Sequence, residues 1–352
     1  MAKRAVEEVA ELSKRLGRVP TVVELKANIS PKDLAELKTE YGSFSNLIDD
    51  LKNPGKSGDG ILHEARALKK FKSICSRKEQ IQGFFRHVLD LDELFRRAGN
   101  PPTLKVLAQP DTHAKFVHRP SFDAFVKYMK WYQPHVHIIM GDFADCEGLA
   151  HWEQSTLEPR RIVPEMKIAR ALLKELVDAQ DPNCVKIFLE GNHEYWIQMA
   201  LTRMPELFDG LEDLGIEISV KTLLALDKFG FELFPLNHLI KIGKAHFTHG
   251  LFTGQNHAKK HLDTLKGNVY YGHLHDTQSH NQTSLDGHME AASLACLCRL
   301  DAQFLKGRPN NWVNGFGQFE FFPDGNYTFV RPTMFEGRFS MCGIVFDGNT
   351  EE

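Results

Sequence analysis

The chain has 352 residues, 42% of them hydrophobic and 25% charged, with a formal net charge of -3. Such a composition describes an ordinary globular protein of one or two domains and carries no overall electrostatic footprint for nucleic acid. Six scattered cysteines without a C-x-x-C pair argue against a disulfide framework or a zinc knuckle and suit a reducing compartment.

In chain order, Val6, Val9, Leu12 and Leu16 recur at helical spacing, and further helices are expected from Pro20-Thr21, from SPKDL and over YGSFSNLIDDL. NPGKSGDG (53–60) reads as a linker, which bounds a helical module over 1–58. A second helical stretch, a connector over 59–100, is expected to stop at AGNPPT and carries a basic run, Arg66 to Lys78. That run is either a phosphate-contacting face or an ordinary solvated one. From 103 the texture changes. LKVLAQP, HVHIIMGDF, VKIFLEGNH, KAHFTHG and NVYYGHL read as buried strands, and helical stretches separate the first three. This predicts an α/β domain over 101–335. FGQFEFFPDGNYTFV reads as a hairpin, and 336–352 as a C-terminal tail. No apolar run approaches the length of a bilayer span and no signal-peptide core comes after the amphipathic start, so no membrane contact and a cytoplasmic location are expected.

The chemistry lies in the turns at the ends of these strands. Asp111-Thr-His113, Gly141-Asp142-Phe-Ala-Asp145, Gly191-Asn192-His193-Glu194, His249-Gly250 and Gly272-His273-Leu-His275 come in that order. In open α/β sheets ligand sites lie at this end of the strands. Taken singly, Asp or Asn beside Gly serves equally well as a turn former. On a strand, alternate residues share a side, so H-x-H would aim two imidazoles at one point. Carboxylate, imidazole and amide oxygen without thiolate suit divalent ions such as Mn²⁺, Fe²⁺ or Zn²⁺.

The ordered set D-x-H, GDxxD, GNH[DE], H, GHxH resembles the calcineurin-like metallophosphoesterase superfamily over roughly residues 103–330. RMPELF and LKGRPNNWVNGFGQFEF are similar to segments of its phage- and bacterium-encoded members. The resemblance implies a two-sheet α/β sandwich flanked by helices, here preceded by a small all-α N-terminal region. It also implies two divalent metal ions, Mn²⁺ before Fe²⁺ or Zn²⁺. Carried over by position, it puts Asp111, His113 and His275 on one ion, Asn192, His249 and His273 on the other, and Asp142 between them. His193 would be the outer histidine that acts on the phosphoryl or leaving oxygen, with Asp145 orienting it. His246 is the alternative to His249. His135 and His137 are expected to be structural, and His257, His261 and His280 solvated or on the substrate side.

The implied reaction is attack of a metal-bridging hydroxide on phosphorus, in a phosphodiesterase or nuclease acting on nucleic acid or nucleotides. Alternatives are a phosphomonoesterase on a small metabolite and a DNA-binding protein with an inactive phosphoesterase domain. GDFAD lacks the Arg-Gly that comes next in the protein phosphatases of the superfamily, which argues against a phosphoprotein substrate. Near the N-terminus, LGRVPTVVELK and YGSFSNLIDDL resemble the helical repeats associated with homing endonucleases, which implies DNA as a partner of the N-terminal helices. A helical packing or dimerisation module is the equal alternative there, and the oligomeric state is left open.

Overall fold

The computed structural model describes residues 22–41, 75–149, 161–203 and 217–350 apart from a few positions within these ranges, together with Val9, Leu12, Arg15 and Leu211. The expected fourth N-terminal helix, the linker, most of the basic run and the PELF segment lie outside the described residues. By its contacts the chain divides into two units, Met1–Lys72 with Pro205–Glu217, and Ser73–Met204 with Ile218–Glu352.

In the first unit, α1 (Val22–Asn28) and α2 (Pro31–Tyr41) appear where Pro20-Thr21 and SPKDL predict helices. Ser30 caps α2, its Oγ accepting from the Asp33 backbone N–H at 3.2 Å, with Pro31 in the first turn where a missing N–H costs nothing. Val9, Leu12, Leu25, Ile29 and Leu37 are buried.

The second unit opens with a departure from expectation. Residues predicted helical form a hairpin, β1 (Cys75–Ile81) and β2 (Phe84–Leu89). Here Gly83, at φ 89°, makes the turn, and β2 pairs in parallel with a strand more than 150 residues later. That distant pairing overrides the local helical pattern. After α3 (Leu91–Arg97), capped by Asp90, come β3 (Leu104–Gln109), α4 (Arg119–Tyr132), β4 (Val136–Ile139), α5 (Ile162–Asp178) and β5 (Val185–Leu189). The chain continues through α6 (Asn192–Arg203), α7 (Val220–Leu223), α8 (Leu226–Phe229), β6 (Phe231–Phe234), β7 (Leu239–Ile242), β8 (Ala245–Thr248), α9 (His257–Leu265) and β9 (Asn268–Tyr271). It ends with β10 (Ser279–Ser284), β11 (Gly287–Ser293), β12 (Asn314–Gly315), β13 (Gly317–Phe321), β14 (Tyr327–Val330), β15 (Thr333–Met334), β16 (Arg338–Met341) and β17 (Ile344–Asp347).

Two sheets carry the domain. One has the order β14-β13-β3-β4-β5-β6, the other β1-β2-β7-β8-β9-β11-β10. β3 to β6 run parallel, as strands joined through helices must, and so do β8 and β9. All five predicted strands are present, and β13–β14 is the predicted hairpin. An aromatic layer joins the sheets: Phe247 and Tyr270 pack on Phe319 with centroids 5.0 and 4.6 Å apart. On the far side of the first sheet, Phe122, Phe125 and Tyr128 of α4 and Leu172, Leu173 and Leu176 of α5 share one buried cluster with Leu107, Ile139 and Phe188. On the far side of the second, Ala258 and Leu262 of α9 pack against Val269, Tyr271 and Ala291. The two-sheet α/β sandwich flanked by helices is therefore the observed fold.

The stretch expected as a C-terminal tail is a hairpin, β16–β17, whose Phe339 and Phe346 stack on each other and meet Tyr128 edge-on. Both are 6% exposed, so this segment completes the core over α4. Phe346→Ala should cost about 3–5 kcal/mol of unfolding free energy, the range for removing a buried aromatic ring. Urea unfolding of the variant beside the parent checks this.

Candidate active site

The ends of β3, β4 and β5 in one sheet and of β8 and β9 in the other deliver all five motifs to one place. Their loops are tied together by backbone. The N–H groups of Thr112 and His113 both donate to the Asp142 carbonyl, at 3.0 and 2.9 Å, and the His273 N–H reaches both Asp111 carboxylate oxygens at 2.9 and 2.8 Å. Such proximity leaves no room for side chains at the glycines of the motifs. A Cβ on Gly191 would collide with the Asp142 carboxylate and backbone, and one on Gly272 with the Asp111 carboxylate.

Four of the predicted ligands, His113, Asp142, His273 and His275, have left-handed backbone (φ 46°, 48°, 70° and 60°). Non-glycine residues rarely adopt it, and such strain concentrates where side-chain aim matters. H-x-H is therefore not a strand alternation. β9 ends at Tyr271, and the turn beyond it sends His273 and His275 to different partners.

Those partners form two groups. In one, the His113 and His275 Nε2 atoms face each other at 3.2 Å, and His275 Nε2 lies 3.4 Å from Asp111 Oδ1. In the other, His249 Nε2 lies 2.9 Å from Asn192 Oδ1, with the His273 ring 4.9 Å away, centroid to centroid. Asp142 Oδ2 stands between them, 3.3 Å from His249 Nε2 and 4.0 Å from His113 Nε2. All seven predicted ligands are thus brought together, with Asp142 in the middle.

The donor set fits divalent ions. His113 Nδ1 donates to Asp145 Oδ1 at 2.8 Å, so its Nε2 turns a lone pair toward the His275 nitrogen, a contact that a cation relieves. His249 Nδ1 likewise donates to the Met140 carbonyl at 2.9 Å, which leaves Nε2 for coordination. His273 Nδ1 is buried without a hydrogen-bond partner among the described residues. Three groups present ligand atoms close enough together to hold an ion: His113, His275 and Cys298; Asp142, His249 and His273; and His113, Asp142 and His193.

Charge matches this crowding. Burial opposes ionisation of Asp142, but His249 and His193 outweigh it and hold its carboxyl well below the usual range. Burial likewise opposes the charge on His249, yet Asp142 and Asp111 raise it to about 9. His193 rises to about 10, burial again being outweighed by Asp142 and Asp145. The His193 backbone N–H donates to Asp142 Oδ1 at 3.0 Å, and its Nδ1 donates to the Asp145 carbonyl at 2.7 Å. Its Nε2 is left facing the centre, 3.8 Å from Asp142 Oδ2. The Asp145 carboxylate lies nearer to His113 than to His193, at 2.8 against 3.3 Å, so Asp145 braces both rings.

The other histidines lie elsewhere. His246 Nδ1 bonds the Asn268 carbonyl, His137 bonds Gln109, and His135 accepts from the Lys105 N–H. His257 and His261, expected to be solvated or on the substrate side, are buried at 3% and 0% exposure because α9 turns that face onto the second sheet.

Two further residues of the site are not legible as such in the sequence. Glu194, the last letter of GNHE, stands in a motif that gives it no role of its own. Fully buried, it accepts the backbone N–H groups of Asp142, Ala144 and Gly191 at 2.9, 2.8 and 3.0 Å, and so shapes the loop that carries Asp142. Cys298 Sγ lies 3.8 Å from His275 Nδ1, and nothing in the sequence pattern announces it.

The sequence description of the calcineurin-like phosphoesterases matches residues 104–321. The chain belongs to the calcineurin-like phosphoesterase family. It is a metal-dependent phosphoric ester hydrolase. Its relatives include the Gene 54 proteins of Mycobacterium phages D29 and L5, 27% and 28% identical over 262 and 265 residues, in each case 69% of this chain and 98% of the relative. Vps29 from Chaetomium thermophilum, at 11% identity and a TM-score of 0.31, aligns with 66% of this chain and 99% of its own. Among the described residues of this phosphoesterase, no helix is long and apolar enough to cross a membrane.

Glu194→Gln puts an NH₂ where one of three backbone N–H groups needs an acceptor. It should cost about 1–3 kcal/mol, the penalty of one buried unsatisfied group. Urea unfolding of metal-free protein measures it, and an unchanged midpoint would show that the loop does not depend on this carboxylate.

Proposed function

We propose that this phosphoesterase is a phosphodiesterase acting on nucleic acid or nucleotides, with Asp111, His113 and His275 holding one divalent ion, Asn192, His249 and His273 the other, and Asp142 both. The observation that carries this reading is the pair of ligand groups meeting at Asp142 Oδ2 with His193 Nε2 beside them. Two divalent ions held there, Mn²⁺ before Fe²⁺ or Zn²⁺ on the family resemblance, would supply activation of water and charge neutralisation for in-line displacement at phosphorus.

The chain's own contribution is orientation and proton transfer. His193 is fixed through Nδ1 by the Asp145 carbonyl, so its Nε2 is the nitrogen that can protonate a leaving oxygen. Two features favour a diester of nucleotides. The residue after GDFAD is Cys146, fully buried, so that position brings no guanidinium for the dianion of a monoester. Trp196 and Trp312 pack on His193 and His275, ring centroids 4.2 Å apart in each case, and both are half-buried, side chains of the kind on which bases stack. The N-terminal helices are proposed to recruit DNA, on their resemblance to endonuclease-associated repeats alone. A cytoplasmic site of action accords with six free cysteines.

Bis-p-nitrophenyl phosphate, p-nitrophenyl phosphate and labelled single- and double-stranded DNA, each with Mn²⁺, separate the alternatives. Preference for the monoester would overturn the diester reading, and absence of DNA binding at low salt would remove the recruiting role of the helices. Asp142→Asn should weaken binding of both ions, whereas His193→Ala should keep both and lower kcat about 10²–10⁴-fold. Metal analysis beside steady-state kinetics decides between ligand and proton donor. With His249 raised to about 9, its imidazole is protonated at pH 7 and must lose that proton to bind a metal. Mn²⁺ titrations in buffers of different ionisation enthalpy should therefore give different heats, from protons released on binding.

A further inference from the structure

Helix α9 carries His257 and His261, one turn apart and buried at 3% and 0% exposure, on the same face as Ala258 and Leu262. Leu262 and Ala258 already supply the apolar contacts with Val269, Tyr271 and Ala291. Two imidazoles are costly there unless their nitrogens find partners, and each ring finds them at one of the ligand-bearing loops.

His261 Nε2 accepts the Leu251 backbone N–H at 2.9 Å, and Leu251 stands two residues after His249. Its Nδ1 donates to the His257 carbonyl at 2.8 Å, and its ring stacks on Tyr271 with centroids 3.9 Å apart. Burial pushes its pKa down to about 4, in keeping with a neutral ring that can accept. His257 Nε2 donates to Asp276 Oδ2 at 2.9 Å, and its Nδ1 accepts from the Tyr271 hydroxyl at 2.7 Å. Asp276 directly follows His275. The loops so gripped are the ones with uncommon backbone: Gly250 has φ 144°, and His273 and His275 have 70° and 60°. Strained turns persist only where their surroundings over-determine them.

We propose that His261 and His257 are positioning residues of the metal centre, His261 through the His249 loop and His257, with Asp276 and the Tyr271 hydroxyl, through the turn that carries both His273 and His275. This rests on the assignment of His249 and His275 to different ions. Neither ring touches the reacting atoms. Direct hydrogen-bond partners of ligands typically contribute about 10–100-fold to metal affinity, and these rings act one or two residues further along the backbone, so a loss of about 10-fold or less is expected.

The test uses the full chain and Mn²⁺ alone, monitored by calorimetry and by the electron paramagnetic resonance of the bound ion. His275→Ala and His249→Ala should each leave one ion. In the His275→Ala background, adding either His261→Phe or His257→Phe should weaken the remaining ion, by about 10-fold or less, because His249 and His273 both hold it. In the His249→Ala background only His257→Phe should weaken it, because His261 makes no hydrogen bond to the turn that carries His275. His261→Gln, which keeps an acceptor near Nε2, should restore binding toward the parent value, as a purely packing role would not allow. If either Phe variant fails to fold by thermal denaturation, Tyr271→Phe removes only the hydroxyl that holds His257, and it should weaken the ion left in either background. Loss with His261→Phe in the His249→Ala background, no loss with His257→Phe in either background, or no rescue by Gln overturns the positioning role. Two ions still held by His249→Ala and by His275→Ala would overturn the ligand assignment itself, a separate failure.

Discussion

Asp142 Oδ2 is the point on which the site depends. One buried carboxylate oxygen has three imidazole nitrogens within 4.0 Å. A buried carboxylate is costly unless paired, and buried imidazoles that face one another are costly unless something lies between them. In the protein alone, raised pKa values at His193 and His249 answer the charge of Asp142. With divalent ions the same donors are answered by coordination. The arrangement is unstable by itself and suited to a cation, so the surrounding structure must hold it in place.

Most of that structure consists of backbone pinned at close range. Glu194 gathers three N–H groups, and Asp111 receives the His273 N–H on both oxygens. Glycines at 191 and 272 let neighbouring loops approach within the space of a methyl group. Left-handed residues in the same loops store strain that the two sheets, joined by Phe247, Tyr270 and Phe319, are stiff enough to bear.

The parts of the chain outside the motifs serve the same scaffold. The β1–β2 hairpin widens the second sheet through β7, beside the strand that leads to His249. The C-terminal hairpin closes the aromatic cluster over α4, the helix between the strands that lead to Asp111 and Asp142. Both lie well away from the site in sequence and act on it through sheet order and core packing.

Local pattern was enough to reveal the five strands, their motif order, the closing β13–β14 hairpin and the identity of the residues that converge. Singly, Gly-Asp, Gly-Asn or Gly-His after an apolar run is as readily a plain turn, and the meaning lies in the order of all five. The remainder came from long-range contacts. Residues 75–89 became strands because β7 pairs with β2, a contact across more than 150 residues that no local window contains. His257 and His261 became buried braces because α9 lies with that face on the second sheet, although their spacing equally suits a wet helix. Cys298 comes to His275 across 23 positions, and Asp145 stands nearer to His113 than to His193. Residue type and spacing reveal which groups can do chemistry; which group braces which depends on distances that chain folding alone creates.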